Sequence, residues 1–131
     1  MAVKLYLLDS NAAIDYIGAI LPAKAIAWLD SAVDNEVAMS VINRIEVLSF
    51  NPPDPADLVP FEELMDTVEI IPLSEDIILL TIQIRRNHKT KLPDAVVAAT
   101  ALTHDLTVVT RNEEDFRKIP GLKWVNPHTM V

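Results

Sequence analysis

The feature that most constrains the fold is the alternation of short, dry, β-branched runs with longer stretches of helical spacing. The dry runs read as strands at Val3–Leu8, Val37–Met39, Val68–Ile71, Thr107–Thr110 and Leu122–Val125. Between them the pattern predicts helices over Ala12–Ile17, Ala23–Ala32, Val41–Phe50, Pro60–Met65, Glu75–Asn87 and Pro93–His104. The stretch "NPPDPADLVP" carries four prolines in ten residues and is expected to be a helix-free loop. Most of the strand runs are apolar at successive positions, so both faces of each strand want cover. That points to an α/β fold with a parallel sheet between layers of helices. With 131 residues, two glycines and no internal repeat, residues 1–131 should form a single domain without a flexible linker.

Composition narrows the possibilities further. Half of the residues are hydrophobic, which is enough for a core, and the 23% charged fraction is too low for a disordered chain. The absence of cysteine removes disulfides and thiolate metal sites and suits a reducing compartment. No signal-peptide layout opens the chain, and no run approaches the ~18 apolar residues of a membrane span, so a cytoplasmic protein is expected. The formal charge of −8 argues against a polyanionic partner, but it is unevenly spread. Residues 1–76 hold 14 acids and 3 bases, whereas residues 77–131 hold 5 acids and 8 bases.

In a sheet of this kind, ligands gather at the carboxyl ends of the strands. Asp9 stands at the end of the first run, in "VKLYLLDSNAAI", followed by Ser10 and Asn11. It either caps the next helix or ligates a cation through a hard oxygen. Glu46, in "SVINRIEVLSF", shares a four-residue stripe with Ile42 and Phe50 on a helix that Ser40 would cap. A carboxylate held there away from water needs a partner or a cation. Asp94, in "KLPDAVVAATAL", sits in the first turn of an Ala- and Val-rich helix whose first position suits Pro93. Near the end, "VVTRNEEDF" places Asn112, Glu113, Glu114 and Asp115 just beyond a strand. Those acids fit the first turn of a short helix as well as a site.

Other chemistries lack their residues. His88, His104 and His128 have no paired metal spacing and read as surface or helix-end residues. No nucleophile elbow, dinucleotide fingerprint or phosphate loop is present. Trp28 and Trp124 read as core rather than as base-stacking platforms. A haloacid-dehalogenase-type phosphatase would want Asp-x-Asp where Asp9-Ser10-Asn11 stands, and a receiver domain would want an acidic pair early in the chain.

Taken in order, "LLDSNAAI", "SVINRIEVLSF", "KLPDAVVAATA" and "VVTRNEEDF" resemble the four motifs of PIN-domain ribonucleases, and most closely those of the VapC-type toxins of toxin–antitoxin pairs. The resemblance spans essentially the whole chain, including the ending "IPGLKWVNP". It implies a three-layer PIN-like fold with a five-stranded parallel sheet in the order 3-2-1-4-5. It implies a Mg²⁺- or Mn²⁺-dependent endoribonuclease that leaves 5′-phosphate and 3′-hydroxyl ends. Asp9, Glu46 and Asp94 match the family acids; Asp9 and Asp94 would bind metal, with Glu46 ligating directly or through water. Asn11 and Ser40 would support them. The chain departs from the family at the fourth acid, where Asn112 stands, and Asp115 is the acid one turn further on.

The resemblance also implies an RNA substrate, a cognate antitoxin reaching into the acidic pocket with a basic side chain, and a homodimer. The run Arg85, Arg86, Lys89 and Lys91 would hold the RNA backbone, which gives salt-dependent affinity without reading sequence. As a plain solvated face, the same run needs no ligand. The competing reading is a catalytically degenerate PIN fold that binds RNA or protein, and Asn112 is its argument.

Overall fold

A computed structural model describes residues 3–131. Five parallel strands, β1 (Tyr6–Leu8), β2 (Val37–Ser40), β3 (Glu69–Ile71), β4 (Thr107–Val109) and β5 (Lys123–Val125), form one sheet in the order β3-β2-β1-β4-β5. Tyr6 pairs with Val37 on one side and with Thr107 on the other, so β1 is the central strand. The helices are α1 (Ser10–Ile17), α2 (Ala23–Ala32), α3 (Val41–Leu48), α4 (Val59–Thr67), α5 (Glu75–Asn87), α6 (Leu92–His104) and α7 (Glu113–Arg117). No helix among the described residues is long and apolar enough to cross a membrane.

The dry runs form strands for the expected reason. Along β1, Leu7 and Leu8 point to opposite faces and both are fully buried; Val108 and Val109 do the same along β4. Each face has its own core. Leu7, Ala38, Ile71 and Val108 pack with α5, α6 and α7 around Phe116. Leu8, Val37, Met39 and Val109 pack with α1, α2 and α4 around Leu29. The edge strands β3 and β5 are only partly covered.

Several elements differ from the sequence reading. The first strand begins at Tyr6 rather than Val3, and the Leu5 and Tyr6 N–H groups both meet the Glu36 carbonyl where β2 approaches. The proline-rich stretch is not helix-free. Asp54 caps a 3₁₀ turn, Pro55–Leu58, and α4 then starts at Val59 with Pro60 in its first turn. Prolines near a helix start sacrifice no hydrogen bond, because the first N–H groups have no intrahelical acceptor. Pro93 likewise takes the second position of α6, after Leu92. The helix α7 was legible only as an acidic turn. Trp28 is half-buried and meets Tyr6 edge-on at 4.9 Å, and Trp124 is half-buried beneath Arg117.

Candidate active site

Asp9 leaves β1 at the carboxyl edge of the sheet in extended conformation (φ −75°, ψ 157°). Its N–H still bonds the Val109 carbonyl of β4 at 3.0 Å, while its own carbonyl takes the Ala13 N–H and starts α1. Its side chain caps the same helix: Oδ1 accepts the Ser10 N–H at 3.0 Å. Oδ1 also accepts from Asn43 Nδ2 at 3.1 Å, and Oδ2 accepts from Asn11 Nδ2 at 3.1 Å and Thr110 Oγ1 at 2.8 Å. The cap and the candidate ligand are therefore one carboxylate, 5% exposed. Burial pushes its pKa up, the bonds from Thr110, Ser10 and Asn43 pull it down, and the Glu46 charge adds a further upward push.

Glu46 is exposed, which corrects the expectation of an acid held on a dry stripe. The buried face of α3 carries Asn43 and Val47 instead, and the helix ends at Leu48, so Phe50 lies beyond it and is exposed. Glu46 is nevertheless tied to Asp9. Ser10 Oγ donates to Glu46 Oε1 at 2.8 Å and accepts from Asn43 Nδ2 at 2.9 Å. Ser40 caps α3 through the Ile42 N–H at 3.2 Å and hydrogen-bonds none of the acids. Ser10 and Asn43 hold the supporting place expected for it.

Asp94 is half-buried in the first turn of α6, where the helix dipole favours an anion. Its carboxyl is nonetheless pushed up to about 6, first by burial and then by the charges of Asp9 and Asp115, with Lys91 offsetting in part. Asp115 moves the other way, held below the usual carboxylate range mainly by the Asn112 Nδ2 bond to its Oδ2 at 2.9 Å. Asp94 and Asp115 influence each other, Asp94 being raised and Asp115 lowered by the pairing. Lys118 Nζ lies 3.7 Å from Asp115 Oδ1. Asn112 thus orients the acid one turn on. Glu114 pairs with Arg117 at 3.3 Å, the behaviour of a surface helix turn.

Thr110 Oγ1 accepts the Asn112 N–H at 3.0 Å and Asn11 Nδ2 at 3.1 Å, and Asn11 Oδ1 accepts the Arg111 N–H at 3.0 Å. Asn11 therefore stitches the Asp9 turn to the loop after β4. Of the basic run, Arg85, Lys89 and Lys91 line a cleft of about 440 Å³ with Thr90, Asp115 and Lys118, whereas Arg86 is exposed outside its lining. On the other flank Ile14, Val47, Phe50 and Phe61 line an apolar cleft of about 440 Å³ that reaches Glu46.

Sequence reasoning missed Ser10, Asn43, Thr110 and Lys118. Asn43 had a signal, since it lies three residues before Glu46 and so on the same side of the helix. It also missed the pairing of His128, whose Nε2 lies 2.7 Å from the buried Asp15 carboxylate, itself bonded twice by Arg111 Nη1.

Among the described residues, no three carboxylate or imidazole groups stand close enough to cage an ion on their own. The donor set still suits Mg²⁺, which takes one or two carboxylates and keeps several waters. Burial does most to raise Asp94, and the Asp9 and Asp115 charges add a push that a cation would relieve.

The PIN domain family model matches residues 6–122. A toxin–antitoxin complex from Klebsiella pneumoniae contains a chain 32% identical to this one (TM-score 0.74), covering 93% of this chain and 97% of that one. DNA-bound VapBC from Salmonella typhimurium superposes with a TM-score of 0.82 at 22% identity, covering 93% and 97%. VapBC2 from Rickettsia felis, bound to a promoter DNA fragment, does so with a TM-score of 0.81 at 22% identity, covering 94% and 98%. No curated protein matches the chain.

Proposed function

Because this chain belongs to the PIN-domain family, we propose that it is of the VapC type, a nuclease and the toxin half of a toxin–antitoxin pair, hydrolysing RNA phosphodiester bonds with Mg²⁺ or Mn²⁺. The observation that carries the reading is the meeting of acids from four separate segments at one sheet edge. The Asp9 and Asp115 charges both push Asp94 upward, and Glu46 is linked to Asp9 through Ser10 and Asn43.

Asp9 and Asp94 would hold the cation, and Glu46 would complete the shell directly or through water. A bound divalent ion supplies charge that polarises a scissile phosphate and lowers the pKa of a coordinated water. The chain's own groups prepare that step. Four donors fix Asp9 in one rotamer, and Asn112 fixes Asp115 beside Asp94. Only the ionised Asp94 carboxylate can ligate, so with its carboxyl pushed up to about 6 the site should load more readily at pH 7 than at pH 5. Arg85, Lys89, Lys91 and Lys118, along the cleft next to Asp115, would neutralise RNA phosphates on either side of the scissile one. Arg86 contributes at longer range. The cytoplasm, where an RNA target would be met, is the compartment that goes with this reading.

For the antitoxin, the apolar cleft beside Glu46 suits a segment with large apolar anchors, from which a basic side chain would reach the acids. A homodimer would cover Leu79 and Ile82, which α5 leaves exposed. The degenerate-binder reading has one observation in its favour: an amide, Asn112, where the family has an acid.

The deciding experiment is cleavage of a broad panel of single-stranded and structured RNAs by pure protein, with Mg²⁺, with Mn²⁺ and with EDTA. Cleavage that EDTA abolishes is expected. Binding of RNA without cleavage under either metal favours the degenerate binder.

A further inference from the structure

Asn43 is fully buried on α3, one of the few polar side chains among the buried residues. Its Nδ2 lies 3.1 Å from Asp9 Oδ1, 2.9 Å from Ser10 Oγ and 3.4 Å from Glu46 Oε1. Its Oδ1 is buried with no hydrogen-bond partner. An asparagine kept for packing alone would satisfy both ends of its amide or be replaced by an apolar residue of the same shape, since a buried acceptor left empty costs stability. Here both amide hydrogens are committed to the acid-bearing side, and the other end is left bare. Turning the amide over would aim Oδ1 at two carboxylates, so the donor end must face them.

The bonds also run in one direction. Asn43 donates to Asp9 and to Ser10, and Ser10 in turn donates to Glu46. This neutral bridge spans two acids that lie 37 positions apart in sequence, on α3 and at the head of α1, and would otherwise repel. It leaves Glu46, an exposed and flexible side chain, with a defined place relative to the buried Asp9. We propose that Asn43 is a positioning residue that, through Ser10, locks Glu46 to Asp9 as one preformed ligand pair for the divalent cation. The inference rests on the nuclease reading for its purpose, but its geometry concerns metal affinity alone.

The test is Mn²⁺ titration of metal-free protein by calorimetry, with RNA cleavage measured in parallel. Asn43→Leu keeps the shape and removes both donors; Asn43→Ser is the milder variant. In folded variants with cooperative thermal unfolding, Mn²⁺ affinity should fall about 10- to 100-fold, the range set by loss of a ligand's supporting hydrogen bond. On RNA, kcat should fall with KM unchanged, because the cleft cations are untouched. Ser10→Ala should weaken Mn²⁺ similarly, and the Ser10→Ala, Asn43→Leu double variant should be little worse than the worse single, because both cut one relay.

Wild-type Mn²⁺ affinity in folded Asn43 variants overturns the proposal, as does simple additivity with Ser10→Ala. Failure of both Asn43 variants to fold overturns it too, since Asn43 would then be a residue of the core. If wild-type protein binds Mn²⁺ but cleaves no RNA, the nuclease reading fails while the affinity comparison still decides the role of Asn43. Wild-type protein that takes up no Mn²⁺ overturns both.

Discussion

The Thr110 hydroxyl donates to Asp9 Oδ2 at 2.8 Å, joining the ends of β4 and β1 across 101 positions of sequence. The same oxygen accepts the Asn112 N–H, so one hydroxyl sets both the first acid and the loop that carries the last. Thr110→Val keeps the shape and removes both roles. It should cost about 1–3 kcal/mol, the penalty for leaving buried groups unpaired. Urea unfolding measures it, and an unchanged midpoint would mean that the hydroxyl is dispensable.

Asp9→Asn and Asp94→Asn should each lower Mg²⁺-dependent cleavage by about 10²-fold or more, since each removes a charge that would hold the ion. Circular dichroism should be unchanged. The two variants differ in the free protein. Asp94→Asn removes a carboxyl that repels Asp9, so it should not destabilise, whereas Asp9→Asn presents an amide to four donors and should.

The pH dependence of stability follows from Asp94, with the sign set by its upward shift to about 6 from 3.8. Between those values the folded chain binds more proton than the unfolded chain, so metal-free stability should decline as pH rises from about 4 to about 6. Asp115, shifted down, contributes in the opposite sense, with stability lost as pH falls through its folded pKa. That contribution lies below about pH 4, outside the decline, and because the Asp115 charge helps to raise Asp94, the decline should shrink in Asp115→Asn. Adding Mg²⁺ should raise the unfolding temperature more at pH 7 than at pH 5. Scanning calorimetry at several pH values decides the matter, and a metal effect independent of pH counts against ligation by Asp94.

Asp15 is a buried carboxylate on α1 whose charge is met by Arg111 Nη1 at 3.0 Å and His128 Nε2 at 2.7 Å. Arg111→Met strips one partner from a buried charge and should cost about 3 kcal/mol. Asp15→Asn leaves Arg111, which is 54% exposed at its side chain, free to solvate and should cost less. Equal losses in chemical denaturation would show that the unpaired buried charge is not what makes Arg111→Met costly.

Lys89→Ala and Lys91→Ala should each lower the salt slope of RNA binding by about 1, with affinity weakened evenly across sequences. Arg86→Ala should do less, because Arg86 lies outside the cleft lining. Filter binding in EDTA, where no cleavage occurs, measures these slopes; equal effects from all three would mean that the cleft does not define the path.

Much of this architecture was legible along the chain, because strands covered on both faces must be apolar at every position and helices must show their period. The order of elements, the parallel sheet and the placing of Asp9 and Asp94 at helix starts follow from such local rules. The capping roles of Ser40 and Asp9 do too, since a cap bonds only its own helix. Tertiary structure decided everything that depends on which helix face meets which neighbour. Glu46 shares its period with Ile42 and Phe50, yet α3 ends at Leu48 and buries Asn43 and Val47, leaving Glu46 exposed with its carboxylate on Ser10. Asn112 and Asp115 could each have stood for the missing acid until their mutual bond showed one orienting the other. The Asp15–His128 contact, 113 positions apart, leaves no trace in local pattern. Periodicity records how a segment meets water; only the folded chain decides which polar groups meet one another.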